Sequence, residues 1–192
     1  MLYFLGGAPR AGKSAISRQF LKETGTPFFC LDYLMMGFAN GLPALGVDPE
    51  DDELAVGERL WPVVKPMAVA LLEDEVEYLI EGVQLNPKHV AELYNQFPGQ
   101  VTACFVGYAE LDVRVKLEQL QRFGGGLDDW MRAYDEQQRL ETVAHMKQLS
   151  ARVRDECRQV NLRYFETDTN LEQTVSQVVQ YLKQKGSVRL NP

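Results

Sequence analysis

The chain has 192 residues, of which 45% are hydrophobic and 24% are charged. These proportions suit one folded unit with a full core, and we expect residues 1–192 to form a single domain. The formal net charge is -7 at pH 7, which gives no electrostatic reason to expect a nucleic acid or an anionic membrane as a partner.

Short β-branched and aromatic runs alternate along the chain with stretches of helical periodicity. The predicted strands cover residues 2–5, 27–31, 76–80, 101–106 and 162–165. The predicted helices cover residues 13–24, 60–72, 87–97, 110–123, 128–160 and 171–183. Residues 33–52 are rich in glycine and proline, show no clear period and are expected to be irregular. The alternation predicts an α/β fold whose five-stranded, mostly parallel sheet is covered by helices on both faces.

Cellular location is suggested by the first residues of the chain, by its hydropathy and by its cysteines. Residues 1–5 are apolar but lack a basic flank, so they favour a first strand over a signal peptide. No apolar run approaches the roughly 20 residues that a membrane span needs. Cys30, Cys104 and Cys157 are scattered and form no CxxC pair. We therefore predict a cytoplasmic protein with reduced thiols and no membrane partner.

The strongest motif lies between the first strand and the first helix. It fits G-x-x-x-x-G-K-[ST] at every fixed position and consists of Gly7, Ala8, Pro9, Arg10, Ala11, Gly12, Lys13 and Ser14. The glycines let successive N–H groups turn into one concavity, and the helix that begins at Lys13 adds its unpaired N–H groups. Lys13 can neutralise β- and γ-phosphates, and the Ser14 hydroxyl can ligate Mg²⁺. Arg10 could touch a phosphate or point into solvent.

The motif and three further features resemble the nucleoside monophosphate kinase-like group of P-loop kinases, which includes shikimate and gluconate kinases. The further features are Asp32 after the second strand, Glu81-Gly82 after the third, and an arginine-bearing helix before Gly124–Gly126. No Asn-Lys-x-Asp signature of a GTPase occurs, and the chain is short for a motor-like ATPase. The resemblance implies a three-layer P-loop NTPase fold with a helical lid, ATP and Mg²⁺ as cofactors, and a small-molecule phosphoryl acceptor. The strings around residues 6–14 and 80–83 are locally similar to 2-phosphoglycerate kinase-type sequences.

Two acids are candidates for the chemistry, because the carboxyl ends of parallel strands gather along one edge of a sheet. Asp32 could accept the acceptor's hydroxyl proton or hold that hydroxyl in line with the γ-phosphate, or it could simply cap the next turn. Glu81 could hold the Mg²⁺ or the attacking group, or pair with Lys13 in the empty site. The acidic residues 50–53 follow Asp48-Pro49 and are expected to form a solvated first helical turn.

A lid is predicted at about residues 114–135, with Gly124–Gly126 as its tip or hinge. Arg122 is the first choice for a phosphate contact and catalytic role, with Arg132 and Arg114 behind it, although each could pair with a nearby acid instead. Residues 166–170 follow the fifth strand, where the resemblance places adenine, and Thr169 or Asn170 would also cap the last helix. Trp130 is expected to lie in the core more than against a ligand.

An acceptor-side insertion is predicted at about residues 33–75, helped by Gln84, Asn86 and Lys88. Residues 33–59 contain one basic side chain, Arg59, so an uncharged or amphipathic acceptor suits this segment at least as well as an anionic one. The leading hypothesis is an ATP-dependent phosphotransferase that acts on a small molecule. The alternatives are a nucleotide-binding switch or weak ATPase without transfer, and a kinase whose acceptor is a nucleoside or nucleotide held by residues 38–45.

Overall fold

The computed structural model describes residues 1–123, 130–167 and 170–186. Its strands are β1 (Leu2–Gly7), β2 (Phe28–Cys30), β3 (Tyr78–Gly82), β4 (Val101–Gly107) and β5 (Arg163–Glu166). Its helices are α1 (Lys13–Thr24), α2 (Leu31–Gly41), α3 (Glu53–Glu73), α4 (Pro87–Gln96), α5 (Val113–Phe123), α6 (Glu136–Gln159) and α7 (Leu171–Gly186). Two short 3-10 helices lie at Pro43–Leu45 and Trp130–Ala133.

The five strands form one sheet in the order β2-β3-β1-β4-β5, and every neighbouring pair is parallel. This confirms the predicted fold class and makes the sheet wholly parallel. Strand β1 lies in the middle, and its residues Leu2, Phe4 and Leu5 are completely buried. A continuous apolar run is what a strand needs when helices cover both of its faces.

Helices cover the sheet on two sides and complete the three layers. Helices α1 and α7 pack against each other over one face, while α4 and α6 pack against each other and against β4 on the opposite face. The core runs through both interfaces and includes Phe20 from α1, Leu60 from α3 and Val153 from α6. The arrangement leaves the carboxyl-terminal edge of the sheet to the loops, among them the motif at residues 7–14.

Two sequence predictions about the segment after β2 were wrong. Residues 31–41 form helix α2 and are not irregular; Leu34, Met35 and Phe38 pack against the core at helical spacing. Helix α3 is continuous from Glu53 to Glu73 although it contains Pro62 and Pro66. Asp52 caps this helix by accepting the N–H groups of its first turn, which sets its start well before the predicted residue 60.

The long helix predicted from residue 128 begins at Glu136, where Asp135 and Gln138 form a capping box. The glycine tip of the predicted lid, residues 124–126, and Thr169 lie outside the described residues, as do residues 187–192. The boundaries of the acceptor-side insertion and of the lid remain predictions. Within the described parts of the chain no helix is both long and apolar enough to cross a bilayer.

Candidate active site

The loop at residues 7–14 owes its shape to three positive backbone φ angles. Gly7 has φ 126°, Arg10 has φ 59° and Gly12 has φ 91°. A Cβ on Gly7 would lie 1.9 Å from the Val106 carbonyl oxygen, so only glycine fits there. Gly12 is the N-cap of α1 and contributes no side-chain cap, while the Ala15 N–H donates to the Gly12 carbonyl, which leaves the N–H groups of Lys13 and Ser14 available to an anion.

Each carbonyl of the first half of the loop is held by a side chain. Lys13 Nζ donates to Gly7 O at 3.1 Å and to Ala8 O at 2.8 Å. The Tyr108 hydroxyl donates to Pro9 O at 3.0 Å, and Lys116 Nζ donates to Arg10 O at 3.0 Å. Because these oxygens are engaged by donors around the loop, the geometry favours a concavity of N–H groups, the arrangement that binds phosphate.

Two cavities meet at this loop. The larger, of about 640 Å³, lies between the loop, α5 and the start of α7; its lining includes Arg18, Lys116, Thr167, Asn170 and Leu171. We call it the nucleotide cavity. Asn170 caps α7 by accepting a hydrogen bond of 3.0 Å from the Gln173 N–H. The sequence predicted that either Thr169 or Asn170 would cap this helix.

The smaller cavity, of about 370 Å³, lies on the other side of the loop, and we call it the acid cavity. Its lining includes the carboxylates Asp32, Asp51, Glu53 and Glu81. Arg10, Lys13 and Ser14 line both cavities. A terminal phosphate bound by the loop would therefore reach the acid cavity.

Asp32 lies in the first turn of α2, exposed to the acid cavity. Its Oδ1 accepts a hydrogen bond of 2.7 Å from Gln84 Nε2, and Gln84 is only 3% exposed. Gln84 was predicted to shape this region, and it lines the acid cavity. Asn86 and Lys88, which were predicted with it, instead bind Glu58 on α3. A buried amide thus fixes one oxygen of Asp32 and leaves the other for a ligand.

Glu81 and Lys13 are neighbouring buried charges. Burial raises the pKa of Glu81, and the Lys13 ammonium opposes this. Burial likewise lowers the pKa of Lys13, and the carboxylates of Glu81 and Asp32 oppose that. The Cys30 thiol also binds Glu81, and burial with this carboxylate raises the thiol's pKa to about 12. Cys30 is consequently a neutral donor at this site.

The three predicted lid arginines lie away from both cavity linings. Arg114 and Arg122 are exposed on α5, and Arg132 is exposed on the 3-10 helix Trp130–Ala133. Arg132 also interacts with another residue of the protein. Neither cavity includes any of the three in its lining. Their contact with phosphate remains a prediction.

Two groups of residues at the site were not predicted from the sequence. Lys116 is 6% exposed, and its Nζ lies 4.2 Å from the centre of the Tyr108 ring. Burial, assisted by the Arg10 charge, lowers the pKa of Lys116 to about 8. Asp51 and Glu53 were predicted to form a solvated face, yet both line the acid cavity. The position of Lys116 on α5 and the acidic run at residues 50–53 were visible in the sequence, but the sequence did not indicate which way these side chains point.

Mg²⁺ is the metal that this loop motif implies, and the oxygen donors present suit it. Ser14 presents an exposed hydroxyl at the start of α1, and Glu81 presents a carboxylate from the end of β3. The described residues contain no cluster of three or more His, Cys, Asp and Glu groups that could hold a metal by themselves. Mg²⁺ typically takes one or two protein ligands and completes its shell with phosphate oxygens and water, so this donor set fits.

The wholly parallel five-stranded sheet and its helices form an α/β fold that is similar to the fold of solved structures named as kinases. A shikimate kinase from Bacteroides thetaiotaomicron has 14% sequence identity and a TM-score of 0.57, with 95% of this chain and 98% of that chain covered. A gluconokinase from Sinorhizobium meliloti has 17% identity and a TM-score of 0.55, covering 95% of this chain and 91% of that chain. A sugar kinase from a Janibacter species has 15% identity and a TM-score of 0.55, with 99% of this chain and 98% of that chain covered.

These likenesses establish the fold and confirm the predicted resemblance to P-loop kinases of the shikimate and gluconate kinase type. The sequence matches no protein-family model and no curated protein.

Proposed function

We propose that this protein transfers the γ-phosphate of ATP to a hydroxyl group of a small molecule. The observation that supports this most directly is the pair of cavities that share Arg10, Lys13 and Ser14. ATP in the nucleotide cavity would place its terminal phosphate on the loop, with the acceptor opposite it in the acid cavity. Binding alone would need only the loop and the nucleotide cavity.

The transfer step assigns a role to each group. Asp32 accepts the proton of the acceptor hydroxyl, while that oxygen bonds to the γ-phosphorus and the bond to the β,γ-bridging oxygen breaks to release ADP. Lys13 leaves its two loop carbonyls to bind the β- and γ-phosphates, and the loop N–H groups hold the phosphate oxygens. Ser14 and Glu81 would hold the Mg²⁺, which neutralises charge on the phosphates when it is bound.

The proposal is tested with Lys13→Ala and Asp32→Asn. We expect Lys13→Ala to abolish acceptor-dependent ADP release while the circular dichroism spectrum stays unchanged. We expect Asp32→Asn to bind ATP normally but to transfer at least ~100-fold more slowly, the scale of general-base effects. Transfer is measured as ADP release together with a phosphate-mass gain in the acceptor.

The two possible failures of this test have different meanings. Undiminished turnover in Lys13→Ala would refute the site, and near-normal transfer in Asp32→Asn would refute the role of that acid. Tight ATP binding without transfer to any acceptor would instead favour the nucleotide-binding switch or weak ATPase.

A further inference from the structure

The acid cavity has an unusual balance of hydrogen-bonding groups for a site that would receive an acid as its substrate. Its lining contributes four carboxylates, from Asp32, Asp51, Glu53 and Glu81. Its cationic side chains are Lys13 and Arg10, and both belong to the phosphate-binding loop. The end of the cavity away from the loop therefore presents acceptors of hydrogen bonds and negative charge.

Two buried acceptor atoms of residues that line the acid cavity have no hydrogen-bond partner among the described residues. The Gln84 amide donates to Asp32 through Nε2, while its Oε1 is buried and accepts no hydrogen bond from the described residues. Oε2 of Glu53 is in the same situation. His145 Nε2 on α6 lies 3.6 Å from this oxygen, and the two groups form an ion pair when the exposed imidazole is protonated. Both atoms are shielded from the cavity in this conformation, but they belong to side chains that line it, and their unmet hydrogen-bonding capacity favours a donor-rich ligand toward which these side chains rotate.

The remaining charges are largely assigned within the proposed transfer reaction. Lys13 and Arg10 face the phosphates, Glu81 the metal and Asp32 the reacting hydroxyl. Asp51 already pairs with Arg59. The partner of Glu53 is the exposed imidazole of His145, which is charged only when protonated. Glu53 also lines the cavity, where its carboxylate would repel a carboxylate or phosphate of the acceptor and attract a protonated amine.

We propose that the phosphoryl acceptor is an aminated alcohol, such as an amino polyol or aminocyclitol, whose protonated amine binds Glu53 and whose hydroxyl groups donate to Gln84. This inference rests on the proposed phosphotransfer and adds the substrate class. The proposed substrate class, an aminated alcohol, differs from the substrates in the names of the solved structures of similar fold, which include shikimate kinase and gluconokinase.

The test uses three pools of compounds that share carbon skeletons and differ in charge: amino polyols, neutral polyols and hydroxy acids. D-glucamine, D-glucitol and D-gluconate form one such matched set. The intact protein is incubated with Mg²⁺ and ATP at pH 7.5, and each pool is assayed for ADP release and phosphate-mass gain. We expect transfer to the aminated pool, with a higher kcat/KM for each amine than for its neutral counterpart.

The variant Glu53→Gln tests the assigned residue within the same assay. We expect the ratio of kcat/KM for an amine to that for its neutral counterpart to fall at least roughly tenfold, as when one charged hydrogen bond is lost. The matched control is Glu50→Gln, which removes an exposed acid of the same run that does not line the cavity. The ratio is measured within one variant, so it does not depend on the fraction of protein that is folded.

Each outcome decides between the two proposals. Transfer confined to the neutral or acidic pool would overturn the substrate class and leave the proposed function standing. An amine preference that survives in Glu53→Gln would overturn the assignment of this residue. Absence of transfer in all three pools, with ATP still bound, would overturn the substrate class. The proposed function is refuted separately, when ADP release stays at the water background with every class of acceptor.

Discussion

Replacing Lys116 with methionine should change the pH dependence of stability in a direction that the structure fixes. Lys116 is buried, donates to the Arg10 carbonyl and lies over the Tyr108 ring. Burial lowers its pKa from an ordinary 10.5 to about 8. Between these two values the unfolded chain binds more protons than the folded one, so the wild-type protein becomes more stable as pH rises. Methionine has a similar volume and does not titrate, so the variant lacks this gain.

The size of the effect follows from the two pKa values. A difference of about 2.5 pKa units at about 1.4 kcal/mol each corresponds to about 3.5 kcal/mol. Most of it, about 2.5 kcal/mol, should be gained between pH 7 and pH 10. Lys116 is too well buried for solvent to screen the effect strongly.

The assay is urea unfolding of wild type and Lys116→Met at several pH values from 7 to 10. The quantity compared is the wild-type free energy of unfolding minus that of the variant, because other titrating groups cancel in this difference. The control is Lys22→Met, which removes an exposed lysine of α1, and its difference should stay flat. A flat difference for Lys116→Met as well would show that the buried ammonium is not desolvated, and the reasoning would be refuted.

Two further predictions concern helix α3, and both are measured by urea unfolding. Gly57→Ala would place a Cβ 2.1 Å from the Gln84 carbonyl oxygen and should destabilise the fold. As a control, Gly37→Ala on α2 places a Cβ that meets nothing within 4 Å, and it should stabilise the fold by about 0.5–1 kcal/mol. Equal effects of the two changes on the free energy of unfolding would contradict the close packing of Gly57 against Gln84. Asp52→Ala removes the side chain that accepts two first-turn N–H groups of α3, so we expect a loss of about 1 kcal/mol, and an unchanged free energy of unfolding would show that the cap is not needed.

The central strands and the loop could be predicted from the sequence because their signals are local. Strand β1 is an unbroken apolar run, and the loop's glycines and lysine stand at fixed spacing. Both predictions depend on backbone geometry that a few neighbouring residues determine. The five strands were accordingly found within one to two residues of most of their ends.

Helix α2 was missed because Gly37 and Gly41 weaken the helical signal, while tertiary packing compensates for it. Leu34, Met35 and Phe38 bury part of their surface against the core, which outweighs the lower propensity of glycine. A local sequence pattern cannot indicate this gain in packing free energy, since the core surface that those side chains contact comes from distant segments of the chain.

The orientation of Glu53 and Lys116 was likewise beyond the sequence. An acid at the start of a helix is favourable whether it faces solvent or a cavity, and a lysine on an amphipathic helix usually faces solvent. Glu53 reaches the acid cavity because α3 packs across the sheet, and Lys116 is buried because Tyr108 lies beneath it. These positions depend on the assembled fold.

The strand order also has a consequence for how the chain folds during synthesis. Strands β1 and β2 leave the ribosome first, yet neither pairs with the other, and both pair with β3. At about 5–20 residues per second, several seconds separate Gly7 from Tyr78, and during this time the apolar β1 has no strand partner. The loop waits longer still, because the Ala8 N–H binds the Val106 carbonyl on β4. In a nascent chain that ends before β4, the loop therefore lacks this hydrogen bond and β1 lacks the neighbour that it has on its second edge.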